Sequence, residues 1–256
     1  MAKIIFDADG TRFFEMGDKN AVLFVMAGTG DSKPTAPADL GITVAQSNYK
    51  TGVPWMGITA WTDSPSGGEE TELWADDIKY ASFRAAEKSG GTIESYTVPI
   101  EFEECDGSAI VEGVTVGQQA RKKFGAAYIT QVGNDQDQAI GEKLHLVYNA
   151  SASPSERSYA TVNENPDAIT FSHEYSATQV AFSSSTYRHL KPTATLTIDT
   201  THLTNGKNNK NYKDLLDVIF GRDADSTANP AIAAIDPQLP SPDDVLAIMA
   251  RALPSG

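Results

Sequence analysis

The chain has 256 residues, 40% of them hydrophobic and 21% charged, which is the balance of an ordinary globular protein and enough length for one large all-β domain. Acids outnumber bases 34 to 20, a formal net charge of −14, and this argues against direct grip on a phosphate backbone, which needs clustered Lys and Arg. A single cysteine, Cys105, excludes an internal disulfide framework. The longest apolar stretch, Ala21 to Ala27, is far short of the ~20 residues of a membrane-spanning helix. The acid at Asp7 comes too early for a secretory signal, so a soluble protein is expected.

In chain order, Ala21 to Met26 is dense in apolar residues, as in a strand covered on both sides. Turn-forming residues follow at Gly28-Thr29-Gly30-Asp31, and Lys33 to Ala38 is a Pro- and Ala-rich loop. After the polar Ser64 to Gly68, two strands are expected, Ile78 to Ala86 and Gly91 to Pro99, joined as a hairpin through Glu87-Lys88-Ser89-Gly90. Leu144 to Tyr148 again reads as a covered strand. Ile169 to Tyr175 and Thr193 to Asp199 alternate apolar and polar residues, as strands with one buried face do. No helical pattern of twelve residues stands clear between Asp7 and Thr201. Two helices close the chain. In the first, Tyr212, Leu215, Leu216 and Ile219 share a face before Gly221. The second opens at Ser241-Pro242-Asp243-Asp244 and turns Val245, Ile248 and Met249 inward. The pattern predicts an antiparallel β-sandwich or barrel with a flanking α-helix and a short C-terminal helix.

The sharpest enzymatic motif is Ile4-Ile5-Phe6-Asp7-Ala8-Asp9-Gly10-Thr11, which resembles the first motif of haloacid dehalogenase-type, Mg-dependent phosphatases. There one Asp is the nucleophile and the second the acid/base. Arg12 stands where an apolar residue is usual, the long helix-free stretch conflicts with alternating strands and helices, and no later Lys with paired acids follows. The same acids lack the Glu and flanking helices of a calcium loop. His145, His173, His189 and His202 show no ligand spacing. Cys105, between Glu104 and Asp106, is a poor nucleophile. Gly28-Thr29-Gly30 is a turn, and Asn149-Ala150-Ser151 is a chance match to a glycosylation acceptor. From Asp63 to Asp106 twelve acids stand against Lys79, Arg84 and Lys88, a block carrying −9 of the net charge.

One set of segments resembles a known family when taken in order. They are Val53-Pro54-Trp55-Met56-Gly57-Ile58-Thr59, Leu73-Trp74-Ala75-Asp76-Asp77-Ile78-Lys79-Tyr80, Gly91-Thr92-Ile93-Glu94-Ser95-Tyr96-Thr97 and Phe102-Glu103-Glu104-Cys105-Asp106-Gly107-Ser108. Gly117-Gln118-Gln119-Ala120-Arg121-Lys122, Lys143-Leu144-His145-Leu146-Val147-Tyr148 and Ala168-Ile169-Thr170-Phe171-Ser172 follow. The series resembles the major tail tube proteins of long-tailed, non-contractile (siphovirus-type) phages of Gram-positive bacteria, from Lys3 to Val245.

The resemblance implies one tail tube domain over 1–256, with a loop insertion at 27–50, an inter-ring loop at 61–74 and a C-terminal helical segment at 205–256. It implies a structural virion protein, not an enzyme, with no cofactor and no metal. Six copies would form a ring whose inner strands close into one β-barrel, and rings would stack into the conduit for genome delivery. Tape measure protein would lie inside the tube, with terminator and distal tail proteins at its ends. DNA would pass without specific binding, and assembly would take place in the host cytoplasm. The loop matching the inter-ring element has the core Asp63-Ser64-Pro65-Ser66-Gly67-Gly68-Glu69-Glu70, polar and expected to be ordered by neighbours. Trp55, Trp61 and Trp74 are candidate subunit contacts, with burial in the core as the alternative for each. Glu94 is the candidate lumen residue, since a like-charged wall gives a duplex nothing to gain by sticking. A tube protein of a phage-derived bacteriocin or secretion device fits the same residues.

Overall fold

Alternating segments become strands here, and the bends between them decide the architecture. The computed structural model describes residues 10–38, 40–155, 168–228 and 231–252; Asp7, Asp9 and the phosphatase-like motif up to that point lie outside them. The strands are β1 (Phe14–Val25), β2 (Val53–Pro54), β3 (Ile58–Asp63), β4 (Ser66–Gly67), β5 (Glu70–Ala75), β6 (Ile78–Arg84) and β7 (Glu87–Ser95). A short helix α1 (Glu103–Asp106) precedes β8 (Ala109–Val111), β9 (Val114–Val116), β10 (Phe124–Gly133), β11 (Gly141–Ala152), β12 (Phe171–Ala177) and β13 (Thr195–Asp199). Helices α2 (Lys210–Phe220) and α3 (Pro242–Met249) follow. The main sheet runs β2-β1-β10-β11-β12-β7-β3, with β13 also on β11 and β4 on β7, while β5-β6 and β8-β9 stand apart as two-stranded hairpins. All described strand pairings are antiparallel. The expected mainly-β antiparallel class is what forms.

Strand β11 is the pivot. Its residues 143–147 pair with β13, whereas Ala150, Ser151 and Ala152 pair with β12. Between them Asn149 sits at φ 48°, and the register against β10 slips between Phe124 and Ala126. An extra residue shifts side-chain alternation by one. Leu144, Leu146 and Tyr148 thus face one core, and Ala150 and Ala152 face the other. The first core lies between β1, β10 and β11 and the helices, where Tyr212, Leu215, Val218 and Ile219 of α2 and Val245 and Ile248 of α3 are buried. The second lies where β12, β7 and β3 fold across β1 and β10, and holds Leu23, Trp55, Ile93, Phe102, Phe124, Tyr128 and Tyr175. Two sheet layers and a helical layer share the middle strands.

Both helices end as the sequence indicates. Asn209 caps α2, its side chain accepting from Asn211 N and Tyr212 N, and Gly221 at φ 84° stops it. Ser241 caps α3 through Asp244 N, with Pro242 at the first turn. Arg251 then clamps the pair by donating to Asp214 of α2 and to the Leu40 carbonyl. The 27–50 segment, expected as a loop insertion, is irregular yet tied down: Leu40, Val44 and Tyr49 enter the helix-side core. Lys50 and Lys122 also bridge Asp31 and Glu104, which holds Asp31 down at about 2, chiefly through its hydrogen bond from Gly28 N and the Lys122 side chain.

One expected element does not form. Ile78 to Ala86 and Gly91 to Pro99 are not a hairpin, because Glu87 to Gly90 is already strand β7 and pairs with β4 and β12. The two glycines read as a turn are there for close approach. A Cβ on Gly91 would lie 2.2 Å from the Thr62 carbonyl and 2.8 Å from the Tyr175 hydroxyl.

Because Leu215 is fully buried where α2 meets the sheet, Leu215→Ala is expected to remove about 2–5 kcal/mol of stability. Urea unfolding followed by circular dichroism measures it, and a loss under about 1 kcal/mol contradicts this packing.

Candidate assembly site

The residues that draw attention are apolar and uncovered. Strands β5 and β6 pair Thr71 with Phe83, Leu73 with Ala81 and Ala75 with Ile78, and directly opposed residues share a face. That face is therefore Leu73, Ala75, Ile78, Ala81 and Phe83. The opposite face carries Glu70, Glu72, Trp74 and Lys79, joined by Lys79 to Glu70 at 3.0 Å, Lys79 to Glu72 at 2.6 Å, and the Trp74 indole to Glu72 at 3.1 Å. Asp76 and Asp77 make the two-residue turn at φ 51° and 60°, left-handed values that a tight hairpin demands and that Asp tolerates. Leu73, Trp74, Ile78, Tyr80 and Phe83 are 46% to 74% exposed. Leu73, Ile78 and Phe83 on the shared apolar face present roughly 300 Å² of side chain, in the range of the largest patch of an ordinary monomer, and Trp74 adds exposed ring area on the opposite face. An isolated two-stranded hairpin is marginal in water.

The arm has a fixed root. Asp63, the last residue of β3, accepts from the Tyr175 hydroxyl at 3.1 Å and from the Tyr128 hydroxyl at 3.4 Å. The Trp61 indole donates to the Tyr175 hydroxyl at 3.0 Å and stacks on Tyr128 at 4.4 Å. Tyr128 in turn stacks on His145 at 4.6 Å, and His145 lies 3.4 Å from Glu15. Burial first, and the Asp63 carboxylate second, push the Tyr128 and Tyr175 phenols well above their ordinary range, so both remain donors. Ser64 N donates to the Gly90 carbonyl, and β4 pairs Ser66 with Lys88 and Gly67 with Glu87.

The expected inter-ring loop at 61–74 is thus a strand end, a short bridge and half of a hairpin; the arm continues to Arg84. Within it, Asp63 is a root residue, and Ser64, Pro65, Ser66, Gly67, Gly68, Glu69 and Glu70 are exposed or half-exposed along the passage to the arm. The three tryptophans separate. Trp55 is buried, packs on Phe102 at 4.7 Å and donates to the Thr97 carbonyl, so it belongs to the chain's own core. Trp61 is half-buried at the root, and Trp74 alone is free to meet a neighbour.

Strands β8 and β9 repeat the arrangement on a smaller scale. Ala109 pairs with Val116 and Val111 with Val114, so one face is apolar, and Val111, Val114 and Val116 are exposed. Sequence reasoning missed both hairpins. The available signal was an Asp-Asp and a Glu-Gly pair, each between short apolar runs.

Glu94 is exposed on the outer face of β12, β7 and β3. By register that face also carries Thr92, Ala60, Thr62, Ser172 and Glu174, polar or small residues with two carboxylates. Among the described residues, catalytic groups do not converge. Cys105 is buried, and burial with the neighbouring Glu104 pushes its thiol up to about 12. Among the described residues no cluster of His, Cys, Asp and Glu could hold a metal, and no helix is long and apolar enough to cross a membrane. The parallel crossovers that a haloacid dehalogenase-type sheet requires are not among the described pairings. Compared with known proteins, the chain matches no protein-family model and no curated protein sequence.

The root tyrosines give a signed pH dependence. Unfolded phenols titrate near pH 10, whereas Tyr128 and Tyr175 hold their protons to higher pH when folded. Their contribution is complete below about pH 10 and is lost as pH rises beyond it. Replacing both by Phe is expected to make the drop in urea midpoint between about pH 9 and about pH 11 shallower; an unchanged drop contradicts the root network.

Proposed function

We propose that the chain is a structural subunit that polymerises with copies of itself into a hollow tube, the tail tube of a siphovirus-type phage. The observation that carries the reading is the uncovered apolar face of the β5–β6 arm on a rigid root. A monomer that stayed alone would expose this surface to water for no gain. A neighbour that covers it recovers the free energy, and a repeated contact multiplies a modest term along the whole polymer.

Two further features support the same reading. The outer face of β12, β7 and β3, with Glu94 and Glu174 among small polar residues, suits the wall of a bore: carboxylates repel a passing duplex, and Thr and Ser offer it no apolar foothold. Among the described residues, strand β3 has a partner on one side alone in the sheet order, and in this reading its other edge receives a strand of an adjacent copy. Closing such edges around a ring removes an aggregation hazard. In this reading six copies form each ring, tape measure protein occupies the bore before DNA, and terminator and distal tail proteins cap the ends. The arm plays the part that the family resemblance gives to its inter-ring loop.

The purified protein is expected to form tubes of uniform width in negative-stain micrographs as its concentration rises. Ile78→Glu with Phe83→Glu, both on the arm's apolar face, should keep the fold, because neither side chain is in the core, and should reduce polymer mass by at least about tenfold. Light scattering measures this. A protein that stays monomeric at every concentration, or a double variant that polymerises like wild type, contradicts the proposal.

A further inference from the structure

The arm carries charge that its own chain leaves unmatched. Lys79 is engaged by Glu70 and Glu72, while Asp76 and Asp77 at the tip make no ion pair among the described residues. The complementary charge stands elsewhere. From Tyr175 to Ile198 the sequence has no acid but contains Arg188, His189 and Lys191. These three are exposed with Leu190 among them, and they too make no ion pair among the described residues. Backbone bonds from Tyr187 N to the Ser184 carbonyl and from Leu190 N to the Tyr187 carbonyl fix this turn. In a chain of net charge −14, an unpaired basic turn is where an acidic tip gains most.

The turn lies at the root of the arm. Lys191 and Pro192 line a cavity of about 580 Å³ together with Arg84, Ala86, Glu87 and Gln179, the residues where β6 ends and β7 begins. Gln179 donates to the Glu87 carbonyl there at 3.4 Å. Paired strands of six to seven residues put the tip about 20 Å from this place, and the pairing of β5 with β6 keeps the arm extended. The tip therefore cannot satisfy the basic turn of its own chain.

We infer that the arm tip of one copy docks on the Arg188–Lys191 turn beside the arm root of the next copy. Asp76 and Asp77 meet Arg188 and Lys191, and Trp74 enters the cavity. This names the receiving surface for the arm's tip and rests on the assembly reading above. The contact joins two different surfaces, so each added copy leaves one tip and one root unused, which is what a contact repeated along a tube requires. Exposed charges in this role make the contact weaken with salt.

The test is a charge reversal with rescue, read as polymer mass by sedimentation at fixed protein concentration. Asp76→Lys with Asp77→Lys, and separately Arg188→Glu with Lys191→Glu, should each reduce wild-type polymer mass by at least about tenfold. The quadruple variant, with both signs reversed, should polymerise again. All four positions are exposed, and rescue itself shows that the variants fold. Wild-type assembly should also decline between about 0.05 and about 0.5 M salt. If wild type polymerises but the turn variant does so equally, or the quadruple variant stays monomeric, the receiver is wrong while the assembly reading stands. If wild type never polymerises, both fall.

Discussion

Strand β11 must serve two cores, and the bulge at Asn149 is what lets it. Before the bulge, alternate residues fill the space under α2 and α3; after it, alternate residues fill the space under β12. A regular strand would have presented Ala150 and Ala152 to the helices and left β12, β7 and β3 without a surface to cover. The fold-over of those strands brings Tyr175 beside Trp61 and both over Tyr128. From that stack comes the fixed departure of the arm. One extra residue in one strand therefore propagates to the exposed hairpin of β5 and β6.

The arm reconciles two demands that usually conflict. Its surface is apolar enough to reward association, yet a soluble subunit has to keep such a surface from collapsing onto itself. Strand pairing and the Asp63–Tyr175–Trp61 bonds meet the second demand, since they hold the hairpin extended and fix the strand end from which it departs. The charged face, with Lys79 between Glu70 and Glu72, keeps the free hairpin hydrated. Acidic excess adds repulsion between copies. In the proposed assembly, association then depends on matched contacts and not on general stickiness.

The periodic parts of the chain were legible in the sequence. Tyr212, Leu215 and Ile219 are buried, Ser241 and Asn209 cap their helices, and β12 and β13 alternate as their residues indicate. What the sequence hid were positions where tertiary contact overrides local preference. Gly90 and Gly91 look like a turn, but they make room for Tyr175 and for the backbone of β3. Asp76-Asp77 is a weaker turn signal than Asn-Gly or Asp-Gly at positive φ, and only the apolar residues on either side make it readable. The polarity of Asp63 to Glu70 suggested a loop, and it conceals that Asp63 is the acceptor of two tyrosine hydroxyls. Trp55 illustrates the limit from the other side, since no pattern in its neighbours separates a core indole from one offered to a partner.

The central claim is that β5 and β6 form a hairpin whose apolar face waits for a second copy. Amide hydrogen exchange of the arm, followed as protein concentration is raised through assembly, tests it most directly. The account predicts that amides of 70–84 exchange far faster than those of β10 and β11 in dilute protein, and slow by at least about a hundredfold on assembly while β10 and β11 change little. Arm amides that are equally slow in dilute protein, or that stay fast in the assembled state, would contradict it.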